Sequence, residues 1–340
     1  MRVLLLLWGL LLVPSSPPDQ PLDVLFWNVE NFFDFRNDST SVSDAEFSSF
    51  GPRRWTRKRF YAKCNAIAKA LLWIATEKGR LPDIVALAEV ENAFVLRRLL
   101  QATALCKTDY RYVHFDSPDH RGIDAALLYR SKILELKEAK PFRLYHPADS
   151  TLLGTRDILF CRFQLRTDST ATQHLAILVN HHPSKFGGAA VSEPRRKIAV
   201  ERLRQLTDSL SAAGIGAIIA TGDFNDTPDN PVFRILEEHL VPLHNALFRK
   251  GEGTIKYNGR WDLIDQAYVS PSLLSPEGPP MEILRIPFLL TEDTVHFGEK
   301  PLRTYVGPRY TGGVSDHLPI LLHLQKGIGG QNDLHLPPDG

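Results

Sequence analysis

Residues 217–226 read AIIATGDFND. An apolar, β-branched run reaches a glycine, and a carboxylate and a carboxamide follow at Asp223 and Asn225. Side chains two apart on an extended chain share a face, so both can point into one site. Gly222 lets the backbone turn closely. The competing reading is a turn in which Asx side chains cap a following helix, favoured by Pro228. Taken alone, the stretch leaves both open.

The rest of the chain repeats the pattern. WNVEN (27–31), AEVEN (88–92), RGIDAALLYR (121–130), VNHHPSK (179–185), WDLIDQ (261–266) and GVSDHLP (313–319) each have apolar residues on at least one side and end in Asn, Asp, Glu or His or lie next to one. A sheet that delivers carboxylates, amides and imidazoles to one edge has this appearance. Hard oxygen ligands together with two histidines suit a Mg²⁺-type cation and phosphate chemistry better than zinc. No Cys-x-x-Cys or His-Glu-x-x-His spacing argues otherwise.

Individual positions sharpen the expectation. Glu89 ends the run IVALAEV, an expensive place for a charge that lacks a metal or a partner. Asn28 ends LFWN, with Glu30 two residues on and on the same face if the strand persists. Asp265 lies in an otherwise apolar strand, where holding a histidine in one tautomer is an obvious use. Asp316-His317 sets a carboxylate beside an imidazole, suited to a metal ligand next to a proton-transfer group, although a capped turn has the same spelling. His181 and His182 face opposite ways on a strand, so at most one reaches the site. Glu91 reads as a solvated acid at a helix start, and His114, His174 and the remaining histidines as ordinary ones.

In this order the motifs resemble the endonuclease/exonuclease/phosphatase superfamily over residues 24 to 321, its secreted or envelope bacterial members in particular. The resemblance implies a four-layer α/β/β/α sandwich, an α+β fold of two packed, mostly antiparallel sheets with outer helices and the site at one end. It implies metal binding at Asn28, Glu89 and Asp316, with Glu30 an acidic position near the metal. It gives Asp223 the attacking water, with Asn225 beside it, and His317 the scissile phosphate, paired with Asp265. His181 occupies the upstream histidine position. Arg121 is the candidate phosphate ligand near RGIDAAL, and Asp124 a candidate to orient His181.

The expected activity is metal-dependent phosphodiester hydrolysis supported by Mg²⁺, with Mn²⁺ or Ca²⁺ as other supporting ions. Nucleic acid is the first expected substrate and a small or lipid phosphoester the second; a non-catalytic binding protein is the third reading, disfavoured because the site residues are all present. The basic stretches 53–59 and 195–197, with Trp55 and Phe186, favour a polyanionic strand; solvated faces of two helices read equally well.

Composition bounds the rest. At 340 residues, 43% hydrophobic and 23% charged, the chain can bury a real core. A formal net charge of +1 excludes a global basic footprint. Met1-Arg2 followed by VLLLLWGLLLV (3–13) and Pro-Ser-Ser reads as a signal peptide with a short linker over 1–19, with a membrane anchor as the alternative; both take the domain out of the cytoplasm. The catalytic domain is expected over 20–325 and a disordered tail over 326–340, with no protein partner and a monomeric state. Three cysteines make no disulfide framework, and Cys64 and Cys161 read as small buried hydrophobes. Helices are expected over 55–76, 193–212 and 231–240, and a long surface loop over 36–54.

Overall fold

The computed structural model describes residues 21–38, 41–166, 173–185, 188–276 and 278–326. The expected leader, almost all of the expected tail and Phe186 lie outside these residues. No helix among the described residues is long and apolar enough to cross a membrane.

The strands that matter are β1 (Leu22–Phe32), β2 (Ile84–Val90), β3 (Tyr110–His114), β4 (Asp124–Arg130), β5 (Leu134–Phe142), β6 (Ile158–Leu165), β7 (His174–His181), β8 (Ile218–Asp223), β9 (Val241–Pro242), β10 (Ile255–Tyr257), β11 (Arg260–Asp262), β12 (Asp265–Val269), β13 (Met281–Ile283) and β14 (Ile320–Leu324). The helices are α1 (Val42–Glu46), α2 (Arg57–Lys78), α3 (Ala93–Gln101), α4 (Ala189–Ala212) and α5 (Asn245–Arg249). Two six-stranded sheets form, in the orders β13-β14-β1-β2-β4-β3 and β5-β6-β7-β8-β12-β9. Each is antiparallel except at its centre, where β1 runs parallel to β2 and β7 parallel to β8. A parallel pair needs a crossover, and α2 and α4 lie in the two that are required.

Alternation on β1 shows the layering. Leu25, Trp27 and Val29 pack with Phe60, Cys64, Ile67 and Leu71 of α2. Leu22, Val24 and Phe26 pack across to Leu159, Cys161, Ile177 and Ile219 of the second sheet. That sheet's other face, through Phe160, Leu178 and Ala220, meets Leu203 and Leu206 of α4. Three apolar interfaces therefore separate four layers. The central strands are covered on both faces, which is why they read as continuous apolar runs. Each large side chain so buried contributes about 2 kcal/mol.

Several boundaries differ from expectation for local reasons. Helix α2 starts after Thr56, whose hydroxyl accepts from the Arg59 N–H, and ends at Gly79, whose φ of 75° suits a left-handed cap. The third expected helix is a 3₁₀ turn over Pro231–Leu236. Helix α4 begins before Glu193 and carries Pro194 inside it. The apolar run 282–290 is not one strand, because Pro287 opens a 3₁₀ turn at Pro287–Leu289. Strand β5, LELKEAKPF, is a sheet edge with many part-exposed positions, so it has no apolar run to announce it.

The segment 36–54 is more than a surface loop. It contains α1, and Phe47 stacks on Phe33 with centroids 4.9 Å apart. Trp55 is buried there, its indole N–H donating to the Phe33 carbonyl at 2.8 Å. Cys64 and Cys161 are buried, Cys106 is exposed, and all three are free thiols.

Candidate active site

The two parallel pairs bring the polar strand ends to one edge. Asp223 ends β8 in register with His181 of β7 on one side and with Asp265, which begins antiparallel β12, on the other. Across the gap between the sheets, Asn28 of β1 donates through its amide Nδ2 to Asp223 Oδ2 at 3.0 Å. The chain turns left-handed at Glu30 (φ 47°), Asn31 (φ 51°), Glu89 (φ 63°) and Asn225 (φ 52°). Such conformations in non-glycine residues cost of the order of 1 kcal/mol each and concentrate at functional sites. The β1–β2 register shifts between Asn28 and Phe32. Bulges of this kind re-aim side chains; here Glu89 is set against the Asn31 peptide, whose N–H donates to its Oε2 at 2.7 Å.

Asp223 is the hub. Its Oδ2 lies 3.7 Å from His181 Nε2 and 3.8 Å from His317 Nε2. His317 Nδ1 is 2.8 Å from Asp265 Oδ2, so that carboxylate fixes which nitrogen faces Asp223. All four side chains are buried. Burial pushes the Asp223 carboxyl up, only partly offset by His317, to about 7. Burial would lower His317, but Asp265 and then Asp223 outweigh it and hold the imidazole well above the ordinary histidine range. His181 moves the opposite way, lowered by burial and by Arg156 and Arg121. One imidazole is thus held charged and the other neutral around a single carboxylate. Asn225 donates its backbone N–H to Asp223 Oδ1 at 2.8 Å and its side-chain amide to the His182 carbonyl at 2.9 Å.

A second group of carboxylates lies alongside. Burial raises Glu89, but Arg121, 3.4 Å away, and the Asn31 N–H overcome that and leave it below the usual range. Arg121 also donates to Asn31 Oδ1 at 2.7 Å. Asp316 Oδ2 is 3.0 Å from Arg303, which also reaches Glu30 Oε1 at 3.2 Å. The Glu30 carboxylate is therefore turned to Arg303 and to the Thr304 N–H, 2.8 Å from its Oε2. Burial and Asp316 raise Glu30 to about 7. Glu89, Asp316 and Asn28 carry oxygen donors of the kind a Mg²⁺-type ion takes, so their chemistry fits the implied metal, although the Asn28 Oδ1 also accepts from the Glu30 N–H at 2.9 Å. Asp223, Asp265 and His317 also come within ligand distance of one another. The proton shared at 2.8 Å between Asp265 and His317 makes that trio better suited to proton transfer than to metal binding.

Some site residues carried no sequence signal that was read. Lys63, on the apolar face of α2, is buried and donates to the Glu30 carbonyl and to Thr304 Oγ1, the latter at 2.9 Å. Burial lowers it to about 8, against the pull of Glu30 and Glu89. A lysine at a core position of an amphipathic helix is the signal that could have found it. Arg156, also buried, clamps the histidine pair by donating to the His181 carbonyl at 3.2 Å and to the His182 carbonyl. Arg303 sits in a loop with nothing to distinguish it.

Other expectations need correction. Asp124 does not meet His181; its Oδ2 is 3.1 Å from His114 Nε2 and its Oδ1 accepts from the Ser117 N–H. His114 accordingly does have a carboxylate partner, because it lies beside Asp124 on paired strands. His182, in keeping with the expectation that only one of the pair reaches the site, packs on Phe224 with centroids 4.6 Å apart. Glu91 is not solvated. It is buried, accepts from the Asp34 N–H at 2.7 Å, and burial followed by Asp34 and Asp44 pushes its carboxyl up to about 9. Of the basic stretches, Trp55 is core and Arg196 is buried against Asp226 at 3.2 Å, whereas Arg54, Arg57, Lys58 and Lys197 are exposed. A cavity of about 570 Å³ lined by Arg97, Leu105, Tyr110 and Tyr129 lies at the opposite end of β4 from Asp124 and takes no part in this site.

No curated protein matches the chain in sequence. Among solved structures, an endonuclease/exonuclease/phosphatase family protein from Bacteroides thetaiotaomicron aligns with a TM-score of 0.57 at 15% identity, covering 91% of this chain and 99% of its own. A mannosyl-6-phosphatase of Bacteroides thetaiotaomicron aligns at 0.54 and 16%, covering 89% and 99%. The Danio rerio TDP2 complexed with a single-strand DNA product aligns at 0.52 and 16%, covering 90% and 100%. At such identities these likenesses establish the fold. The family's own sequence profile matches residues 23–326, and on that match the chain belongs to the Endonuclease/Exonuclease/phosphatase family, whose members are metal-dependent hydrolases of phosphoesters.

Proposed function

We propose that this chain hydrolyses phosphodiester bonds with a divalent cation, Mg²⁺ in the first instance, and that it is a nuclease exported by its N-terminal leader. The arrangement that carries the reading is Asp223 Oδ2 facing two imidazole nitrogens of opposite charge state. A cation held by Glu89, Asp316 and Asn28 would supply charge neutralisation on the phosphate. Asp223, ionising near neutrality, aligns a water and takes its proton as the P–O bond to water forms and the bond to the leaving oxygen breaks. His317, charged and braced by Asp265, donates through Nε2 to the phosphoryl oxygens as negative charge builds. His181, neutral, can donate from the same side. Arg121, half-exposed beside Glu89, is placed to hold a phosphate oxygen. The leaving alkoxide takes its proton from solvent.

One observation favours a second reading, hydrolysis of a small phosphoester. Burial of Trp55 and pairing of Arg196 remove two of the features that would have gripped a strand. The solved neighbours support both readings, one carrying a DNA product and another acting on a sugar phosphate, as named.

The test offers plasmid DNA, RNA, bis-(p-nitrophenyl) phosphate and p-nitrophenyl phosphate to purified protein with Mg²⁺ or Mn²⁺, with Asp223→Ala as control. DNA or RNA cleavage abolished by both EDTA and the substitution supports the nuclease. Cleavage of the monoester alone moves the assignment to a phosphatase, and activity that survives Asp223→Ala defeats the mechanism.

A further inference from the structure

Arg303 has two kinds of neighbour. On one side its Nε and NH2 atoms lie 3.2 Å from Glu30 Oε1, and NH2 lies 3.0 Å from Asp316 Oδ2. On the other is a niche of about 130 Å³ lined by Glu30, Asn31, Phe47, Arg53, Thr304 and Tyr305. The Arg53 guanidinium lies 5.6 Å from the Phe47 ring centre and 5.2 Å from that of Tyr305, and pairs with Glu46 at 2.7 Å.

Mobility is distributed unevenly here. The next residue, Thr304, is buried and tied to Glu30, Lys63 and Val314, so the backbone is anchored. The Arg303 side chain is 51% exposed and held only by the two carboxylates. A guanidinium between two carboxylates performs for Asp316 the neutralisation that a divalent cation would perform for the same oxygens. Two cations competing for one carboxylate repel each other, and the flexible one yields. The niche is the adjoining space into which Arg303 can turn, and there it would stand beside Arg53, with Glu30 in the same lining.

We propose that Arg303 is an exchangeable counter-ion: it neutralises Glu30 and Asp316 until a divalent cation takes over Asp316, and then joins Arg53 in the niche to bind a second anionic group of the substrate. The proposal rests on the phosphoester reading for its substrate half only. It places the recognised group next to the scissile phosphate and names its class, a phosphate or carboxylate beside an aromatic-walled pocket.

The test is Mn²⁺ binding to the full chain by calorimetry, alongside kinetics on two substrates. Arg303→Gln is expected to bind Mn²⁺ about fivefold more tightly, because a competing positive charge is gone. Arg303→Lys, which keeps the charge, is expected to restore wild-type affinity. The same Gln variant is expected to raise KM for the 5′-p-nitrophenyl ester of thymidine 3′,5′-bisphosphate, relative to bis-(p-nitrophenyl) phosphate, by about tenfold with a smaller effect on kcat. Equal or weaker Mn²⁺ binding by a folded Arg303→Gln protein overturns the counter-ion, and an unchanged KM ratio overturns the subsite. If the wild type cleaves no phosphoester while Arg303→Gln still tightens Mn²⁺ binding, the functional reading falls and the counter-ion stands.

Discussion

His317 Nδ1 and Asp265 Oδ2 lie 2.8 Å apart, both nearly excluded from water and separated by 52 positions in the chain. That contact holds the imidazole charged and turns its other nitrogen toward Asp223. Asp265→Asn keeps the size and removes the charge. It should lower kcat by about 100-fold or more, as expected where a histidine loses its orienting carboxylate. Because Asp265 raises the imidazole's proton affinity, the alkaline limb of the kcat/KM profile should also move to lower pH. A rate profile of unchanged shape and height would show that the pair is only structural.

Glu89 is held ionised by Arg121 and the Asn31 N–H. Loss of groups that merely orient a ligand costs 10- to 100-fold in metal affinity, so Glu89→Gln should cost about 100-fold. Mn²⁺ titration of the variant measures this directly, and retained affinity would place the cation elsewhere.

Gly222 is required by a close approach rather than by its φ. A Cβ there would lie 2.1 Å from the Asn180 carbonyl oxygen and 2.7 Å from the Asn180 Cβ, within the β7–β8 pair. Neither neighbour is the end of a flexible side chain, so the strands must separate. Gly222→Ala should destabilise the protein by about 3 kcal/mol, read as a fall in the urea midpoint, and should disturb His181 and Asp223 as well. A midpoint unchanged by the substitution would contradict the register.

His323 bridges Asp23 at 2.9 Å and Glu282 at 2.7 Å, joining three strands of the first sheet. These two bonds raise it from 6.5 to about 9. A group whose folded value is raised contributes stability that is complete below its unfolded value, about 6.5, and lost as pH rises through about 9. His323→Gln should therefore cost about 2 kcal/mol near pH 6 and almost nothing near pH 10. Urea melts at the two pH values check the sign; a gap that widens with pH would reject it.

Much of the fold could be read along the chain because its signals are local. Strands 124–130 and 158–165 coincide with apolar runs of the sequence, each punctuated at both ends. Strand β5 escapes the reading because its interior positions are almost all part-exposed and are spelled largely with Glu and Lys. Trp55 looked like surface because its basic neighbours are, whereas its indole fills the space over Phe33 and Phe47.

The candidate site divides along the same line. Residue type and strand-end position made Asn28, Glu89, Asp223, Asp265 and His317 candidates, because a costly polar group closing an apolar run has to be used for something; the family resemblance gave them their roles and chose His181 over His182. Nothing in one dimension could pair Asp124 with His114 instead of His181, turn Glu30 onto Arg303, or set Lys63 beneath both. Those choices depend on which strands become neighbours and on left-handed turns at Glu30, Asn31 and Glu89 that rotate side chains off the faces alternation assigns them. Pairing, direction and charge state arise from distances between remote segments, and such distances exist only once the two sheets have packed.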